Sequence, residues 1–333
     1  MIASTPMANQ SANREQGDPV ISGERLLATC WTSAGDAASD RLDLRSPLPL
    51  RERIEAASAA GFGGFGLLSA DLPAAEQEYG LSGIRALLDD NGIVDLELEG
   101  IPYWWDDGPR RAESDRVRHS LLTAAEVLGA RHIKVTPDGD DAPWDRGHWA
   151  AKLAELAAQA YDAGTRLGLE FFPWSNIKTL HDGLRLVEDA GHDAAGVVID
   201  VWHIERAHTP VADLASVPLH RIIGVELNDA DPQVVGTLFE DTVHRRRYCG
   251  EGSFDLPGMI TALRAAGWTG PWGVEILSDE HRSLPLRDAL DRAADSARRQ
   301  LELARRPAGA TPSQPCRTTA QAEQAAAGGE NNW

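Results

Sequence analysis

Cysteine is scarce, with only Cys30, Cys249 and Cys316 in 333 residues. Their spacings give neither a zinc-type pattern nor an even disulfide framework, so no disulfide is expected and a reducing compartment is the simplest setting. Long apolar runs are missing as well. Nothing approaches the roughly 18 residues of a membrane span, and the amino terminus lacks the apolar core of a signal peptide, so the expected location is cytoplasmic. Positive charge is in deficit, 32 Lys+Arg against 51 Asp+Glu, for a formal net charge of −19. That balance opposes nucleic acid and anionic membrane surfaces and leaves a small molecule as the expected partner. No glycine-rich phosphate loop opens a helix. The nearest cluster, Gly61-Phe62-Gly63-Gly64, precedes a strand instead of following one, which weakens the alternative of a doubly wound nucleotide-binding sheet.

What is present is a βα rhythm. Residues 1–24 and 306–333 are rich in small and amide residues without periodicity and are expected to be disordered tails. Between them, residues 25–305 alternate apolar runs with helical patterns. Strands are expected at Leu26 to Trp31, Gly64 to Leu68, Ile93 to Leu98, His132 to Thr136, Gly168 to Phe171, in the stretch Gly196 to His203, in the stretch Ile222 to Asp229, and at Trp272 to Leu277. Helices are expected in between, among them Ser82 to Asp90, one capped by Ser114, one capped by Asp255, and a last one from Leu284 to Arg305. Eight such units over about 280 residues match an α/β fold, a (β/α)8 TIM barrel, whose active site lies at the carboxyl ends of its strands.

Four consecutive strands each deliver one acid at that end: Glu170, Asp200, Glu226 and Glu275. Converging carboxylates repel, and a divalent metal relieves the repulsion. Oxygen ligands favour Mg2+ or Mn2+, and a histidine would widen the choice to Co2+ or Zn2+. His203, just past Asp200, is placed to meet a substrate hydroxyl, and Lys134 in strand four is a candidate electrophile at the mouth. The run Arg245-Arg246-Arg247 lies in a long connection, where function concentrates. Trp31, Trp104, Trp105, Trp174 and Trp202 fall at or beyond strand ends, where flat aromatic faces wall a sugar pocket.

Together, the strand-five Glu170, the Asp200-Val201-Trp202-His203 segment, Glu226 followed by Asn228-Asp229, the Gly250-Glu251-Gly252-x-x-Asp255 segment and Glu275 resemble the xylose-isomerase-like family of sugar and sugar-phosphate isomerases and epimerases. Tagatose-epimerase-like and inosose-dehydratase-like members hold a metal with Glu, Asp, His and Glu. The resemblance carries these ligands onto Glu170, Asp200, Glu226 and Glu275, with Glu226 where most relatives have His. It also makes Glu170 and Glu275 the catalytic proton carriers and Arg247 the anchoring arginine; His203, Trp31, Trp105 and Lys134 are substrate-binding candidates by their positions at strand ends.

The function so implied is a metal-dependent isomerase or epimerase of a sugar or sugar phosphate working through an enediolate, with one bound Mn2+ or Mg2+, or Co2+. The alternative is a lyase or dehydratase acting on a keto-sugar, inosose or keto-glycoside at the same site. An endonuclease-type barrel conflicts with the net charge, and a non-catalytic sugar-binding barrel would have little use for four metal-ready acids. A homodimer is in keeping with the family.

Overall fold

The computed structural model describes residues 24–140 and 143–305. The expected tails lie outside these residues, apart from Glu24, whose carboxylate pairs with Arg264 at 2.8 Å. Cys316 lies outside them too.

Eight parallel strands close into a barrel: β1 Leu26–Ala28, β2 Gly64–Leu68, β3 Asp95–Glu99, β4 His132–Val135, β5 Leu167–Glu170, β6 Ala195–Asp200, β7 Ile222–Leu227 and β8 Trp272–Val274. Closure comes from β1 pairing β8 in the register Leu26↔Trp272 and Ala28↔Val274. The chain is therefore a TIM barrel with helices outside and a filled interior. The outer layer is fixed by apolar stripes such as Ala289, Leu290, Ala293, Ala297 and Leu301 on the last helix, Leu286–Leu303, all buried.

Several elements differ from the expected bounds for local reasons. The second helix runs Leu72–Asp90, beginning earlier because Pro73 suits a first turn, and it is interrupted by Gly80 at φ 64°. Ser114 is not a cap. It lies one turn inside the helix Arg111–Leu128, buried, with no partner for its hydroxyl among the described residues. Asp255 does cap the helix Leu256–Ala265, accepting from Gly258 N at 3.0 Å. β1 stops at Ala28 instead of Trp31, and β8 at Val274, one residue before Glu275.

Strand alternation organises the interior, because successive side chains point to opposite faces. On β3 (Asp-Leu-Glu-Leu-Glu), Leu96 and Leu98 join the apolar core while Glu97 and Glu99 take the other face. His132 and Lys134 share a face of β4 in the same way. The lower layer of the barrel interior holds His132 Nε2 against Glu97 Oε2 at 3.1 Å, and the upper layer gathers around Lys134.

The connection from β7 to β8, read from sequence as a long loop, is built. Asp229–Ala230 and Arg246–Arg247 form an antiparallel ribbon around the helix Leu238–His244. That helix opens with a capping box in which Thr237 and Glu240 exchange side-chain and backbone bonds. Asp229 then staples the Gly250 to Asp255 segment, accepting from Gly250 N at 2.9 Å and Phe254 N at 3.0 Å. Gly252 is required there, since a Cβ would stand 2.3 Å from both Ala230 O and Asp229 Oδ1.

Candidate active site

Each of the four acids lies where its strand ends, and all are buried. One oxygen from each of Glu170, Asp200, Glu226 and Glu275 falls within 4.8 Å of the others. Asp200 is oriented by its own chain. It caps the short helix Val201–Arg206, accepting from Trp202 N at 2.7 Å, and takes a second bond from Asn228 Nδ2 at 2.9 Å.

Two protein cations stand among these acids. Lys134 Nζ is fully enclosed by carboxylates, 2.8 Å from Glu226 Oε1, 3.1 Å from Glu275 Oε1, 3.2 Å from Glu99 Oε2 and 3.3 Å from Glu170 Oε2. Only the interior of a closed barrel lets one side chain meet four strands. Arg246 Nη1 lies 2.6 Å from Asp200 Oδ2 and 2.9 Å from Glu275 Oε2, while its other nitrogens donate to Thr242 Oγ1. His203 Nε2 lies 3.2 Å from Glu170 Oε1, and its Nδ1 has no partner among the described residues.

This arrangement splits the carboxyls by charge state. Burial would raise Glu170, but Lys134 and His203 outweigh it and hold the carboxyl below its ordinary range. Asp200 is likewise buried, yet Arg246, His203 and Asn228 hold it well below. Glu226 is pushed well up by burial and by Glu275 beside it. Glu275 is pushed well up by burial, which Lys134 and Arg246 offset only in part. Burial opposes the charge on Lys134, but the surrounding glutamates raise its pKa well above the ordinary value, so it remains an ammonium.

The donor set fits a hard divalent cation. Its ligands are all oxygen, they converge, and Glu226 Oε2 is buried with no hydrogen-bond partner among the described residues. Charge points the same way: among the described residues, Glu99, Glu170, Asp200, Glu226 and Glu275 face two fixed cations, Lys134 and Arg246, with His203 beside Glu170, a surplus of three negative charges when all five acids are ionised and His203 is neutral.

The cavity above the cluster has a volume of about 210 Å³, below the roughly 300 Å³ at which ligand pockets usually begin. Its floor is Lys134, Glu170, Glu275 and Glu99, and its walls include Trp31, Phe172, Trp174 and Phe239, with His203 and Arg246 on its lining. Phe172 stacks on Trp174 with ring centroids 4.8 Å apart.

The structure thus brings Glu170, Asp200, Glu226, Glu275, His203, Lys134 and Trp31 together. It does not bring Arg247 or Trp105. Arg247 forks onto Asp231 at 3.0 and 3.2 Å on the outer side of the ribbon, and Arg246 is the arginine that faces the acids. Trp105 stacks on Trp149, centroids 4.3 Å apart, away from the cavity lining. Trp104 is buried with its Nε1 donating to Thr136 O, and Trp202 is fully buried. Lys134, read as an electrophile, is engaged on every side by carboxylates. Sequence reasoning does not single out Glu99 or Thr242, and it names Arg246 and Asn228 only as members of the arginine run and of the Asn228-Asp229 pair. The alternation of acids in Asp95 to Glu99 was the available signal for Glu99.

No helix of the described residues is long and apolar enough to cross a membrane. Comparison with known proteins finds a match to the family described as xylose isomerase-like TIM barrel over residues 54–321. A 3-dehydroshikimate dehydratase of Pseudomonas putida is 30% identical over 264 residues, 76% of this chain and 40% of that protein. An inosose isomerase of Halalkalibacterium halodurans is 27% identical over 146 residues, 43% of this chain and 51% of that one. The chain therefore spans two fifths to a half of the length of these curated relatives. The solved IOLI protein with a bound zinc atom shares the fold, with a TM-score of 0.73 at 18% identity over 84% of this chain and 99% of the other. With its closed eight-stranded barrel and a family match running from residue 54 to residue 321, the chain belongs to the xylose isomerase-like TIM-barrel family.

Proposed function

We propose that this chain is a metal-dependent enzyme that removes a proton from the carbon beside the carbonyl of a small hydroxylated ketone, and that the resulting enolate then loses a β-hydroxyl as water. The observation that carries the reading is the convergence of Glu170, Asp200, Glu226 and Glu275, with one oxygen of each within 4.8 Å of the others, and the opening of Glu170 and Glu275 onto one cavity beside His203. A carboxylate opening onto such a cavity is within reach of a bound ketone's α-proton and can act as its general base. Glu170 takes the α-proton, His203 keeps it oriented through the 3.2 Å contact, and Nδ1 of His203 accepts a substrate hydroxyl. The aromatic walls cover the apolar face of the substrate and limit water at the enolate. A divalent ion held by Glu170, Asp200, Glu226 and Glu275, Mn2+ or Mg2+ by its oxygen donors, would supply Lewis-acid polarisation of the ketone oxygen.

Elimination is placed first because the dehydratase likeness covers 76% of this chain at 30% identity. The second reading is isomerisation or epimerisation, in which Glu275 returns the proton to the neighbouring carbon. The likeness to inosose isomerases supports it, and it shares every step up to the enolate. The deciding experiment incubates the Mn2+-loaded protein in D2O with 3-dehydroshikimate, inososes, ketoses and 3-keto-glycosides. Expected is solvent deuterium beside a carbonyl together with loss of water. Deuterium with an isomer and no water loss selects the second reading, and no exchange with any of these ketones refutes both.

A further inference from the structure

Elimination needs a proton for the departing oxygen, which Glu170, Asp200, Glu226 and Glu275 cannot give while they hold the proposed ion. We infer that Glu99 is the catalytic acid that protonates the leaving group, an inference resting on the elimination reading above. Glu99 ends β3 and lines the cavity. Its side chain is 9% exposed, against 4% for Glu170, 3% for Glu275, 1% for Glu226 and 0% for Asp200, so it is the carboxyl most open to a bound molecule.

Its hydrogen bonding decides where a proton would sit. Oε2 receives two donors, the Cys30 thiol at 2.9 Å and Lys134 Nζ at 3.2 Å. Lys134 has only donors to offer, and an oxygen already facing two hydrogens is a poor site for a third. A proton on Glu99 therefore belongs on Oε1, the oxygen that neither of these donors meets. Burial pushes this carboxyl up from its ordinary range, against the pull of the Lys134 ammonium. Glu99 and Glu170 flank the same ammonium, at 3.2 and 3.3 Å, so acid and base are close enough to serve adjacent carbons of one small ketone.

The step balances without any further reactant. Glu170 takes the α-proton, and the C–H electron pair becomes the enolate. The enolate collapses to a double bond between the α and β carbons. The β C–O bond breaks with its electron pair going to oxygen, which takes the proton from Glu99 Oε1 and leaves as water. Glu170 ends with one proton more and Glu99 with one fewer, and exchange with solvent through the cavity restores both. No atom is oxidised or reduced overall beyond the loss of water.

The test compares two leaving groups in the same protein. The probes are 3-dehydroshikimate and its analogue carrying fluoride in place of the β-hydroxyl, because fluoride departs without a proton. In Glu99→Gln, where Gln still accepts from Cys30 and Lys134, release of water should fall at least about 100-fold. Fluoride release should stay within about threefold of wild type, and α-deuterium exchange should persist, as expected when only the proton to the leaving oxygen is lost. Glu99→Asp should restore part of the water-to-fluoride ratio. That ratio is read within each variant, so it does not depend on the fraction folded. Equal losses for both probes, or no loss for either, would overturn the role of Glu99 alone. A wild-type protein that exchanges the α-proton of both probes and releases neither group overturns the elimination reading and this role with it.

Discussion

Replacing Lys134 by Met keeps a chain of similar length and removes the one positive charge that touches Glu99, Glu170, Glu226 and Glu275. Taking one partner from a buried ion cluster costs about 3 to 5 kcal/mol, since the remaining charges stay buried without compensation. Over roughly 280 described residues, at about 2.1 cal/mol/K of melting entropy each, that is a fall of about 5 to 8 °C in Tm. The loss should depend on pH in a definite direction. Glu226 and Glu275 are pushed well up even with the ammonium present, and further still without it. A folded state that keeps protons the unfolded chain has released is most favoured below about pH 4.3 and loses that advantage as pH rises through the folded pKa. The deficit of Lys134→Met relative to wild type should therefore be larger at pH 8 than at pH 5.5. A divalent ion at 100 times its Kd would return about 2.7 kcal/mol. Thermal melts of both proteins at the two pH values, with and without Mn2+, read all three effects. An unchanged Tm at pH 8, or an equal deficit at both pH values, would refute the view of Lys134 as the charge that holds these acids together.

Three further outcomes are expected. Arg246→Ala should destabilise the fold by about 3 kcal/mol and reduce turnover, because it strands Asp200 and Glu275, whereas Arg247→Ala, which loses a half-exposed pair with Asp231, should cost under about 1 kcal/mol; urea unfolding of the two variants measures the contrast. Glu226→His should keep metal binding and move preference toward Co2+ or Zn2+ in a competition titration. His281, with Nε2 donating to Thr32 O and Nδ1 accepting from Tyr248, has its pKa lowered to about 4, chiefly by burial. Its neutral form contributes stability that is present above about pH 6.5 and is lost as pH falls toward 4, up to about 3 kcal/mol, so His281→Gln should flatten the acid limb of a stability-versus-pH curve.

Much of the barrel was legible because each strand is a short apolar run followed by a polar residue, and that pattern fixes both the fold and the end at which chemistry collects. The same pattern located Glu170, Asp200, Glu226 and Glu275. Lys134 was harder, since a lysine in a strand ordinarily reaches water, and only the meeting of β3, β5, β7 and β8 supplies the four acids that keep this one inside. Glu99 escaped because strand three was ended at Leu98, one residue short, so its parity with Glu97 went unread. Trp105 could not be told from Trp31 by position alone. Both follow strands, but one stacks on Trp149 and the other lines the cavity. Ser114 looked like a cap by residue type, while the helix had already begun at Arg111.

The ribbon that carries Arg246 has one more consequence. Adjacent residues of a strand face opposite sides, so the arginine facing the acids is chosen by register alone, and a slip of one position exchanges it for a neighbour. Here both neighbours are also arginine. A single-residue insertion or deletion between Thr237 and Arg245 would turn a different side chain inward, yet the chemical group delivered to Asp200 and Glu275 would be the same. The repetition that conceals which arginine matters thus also means that a one-position slip of the ribbon would still present a guanidinium to Asp200 and Glu275.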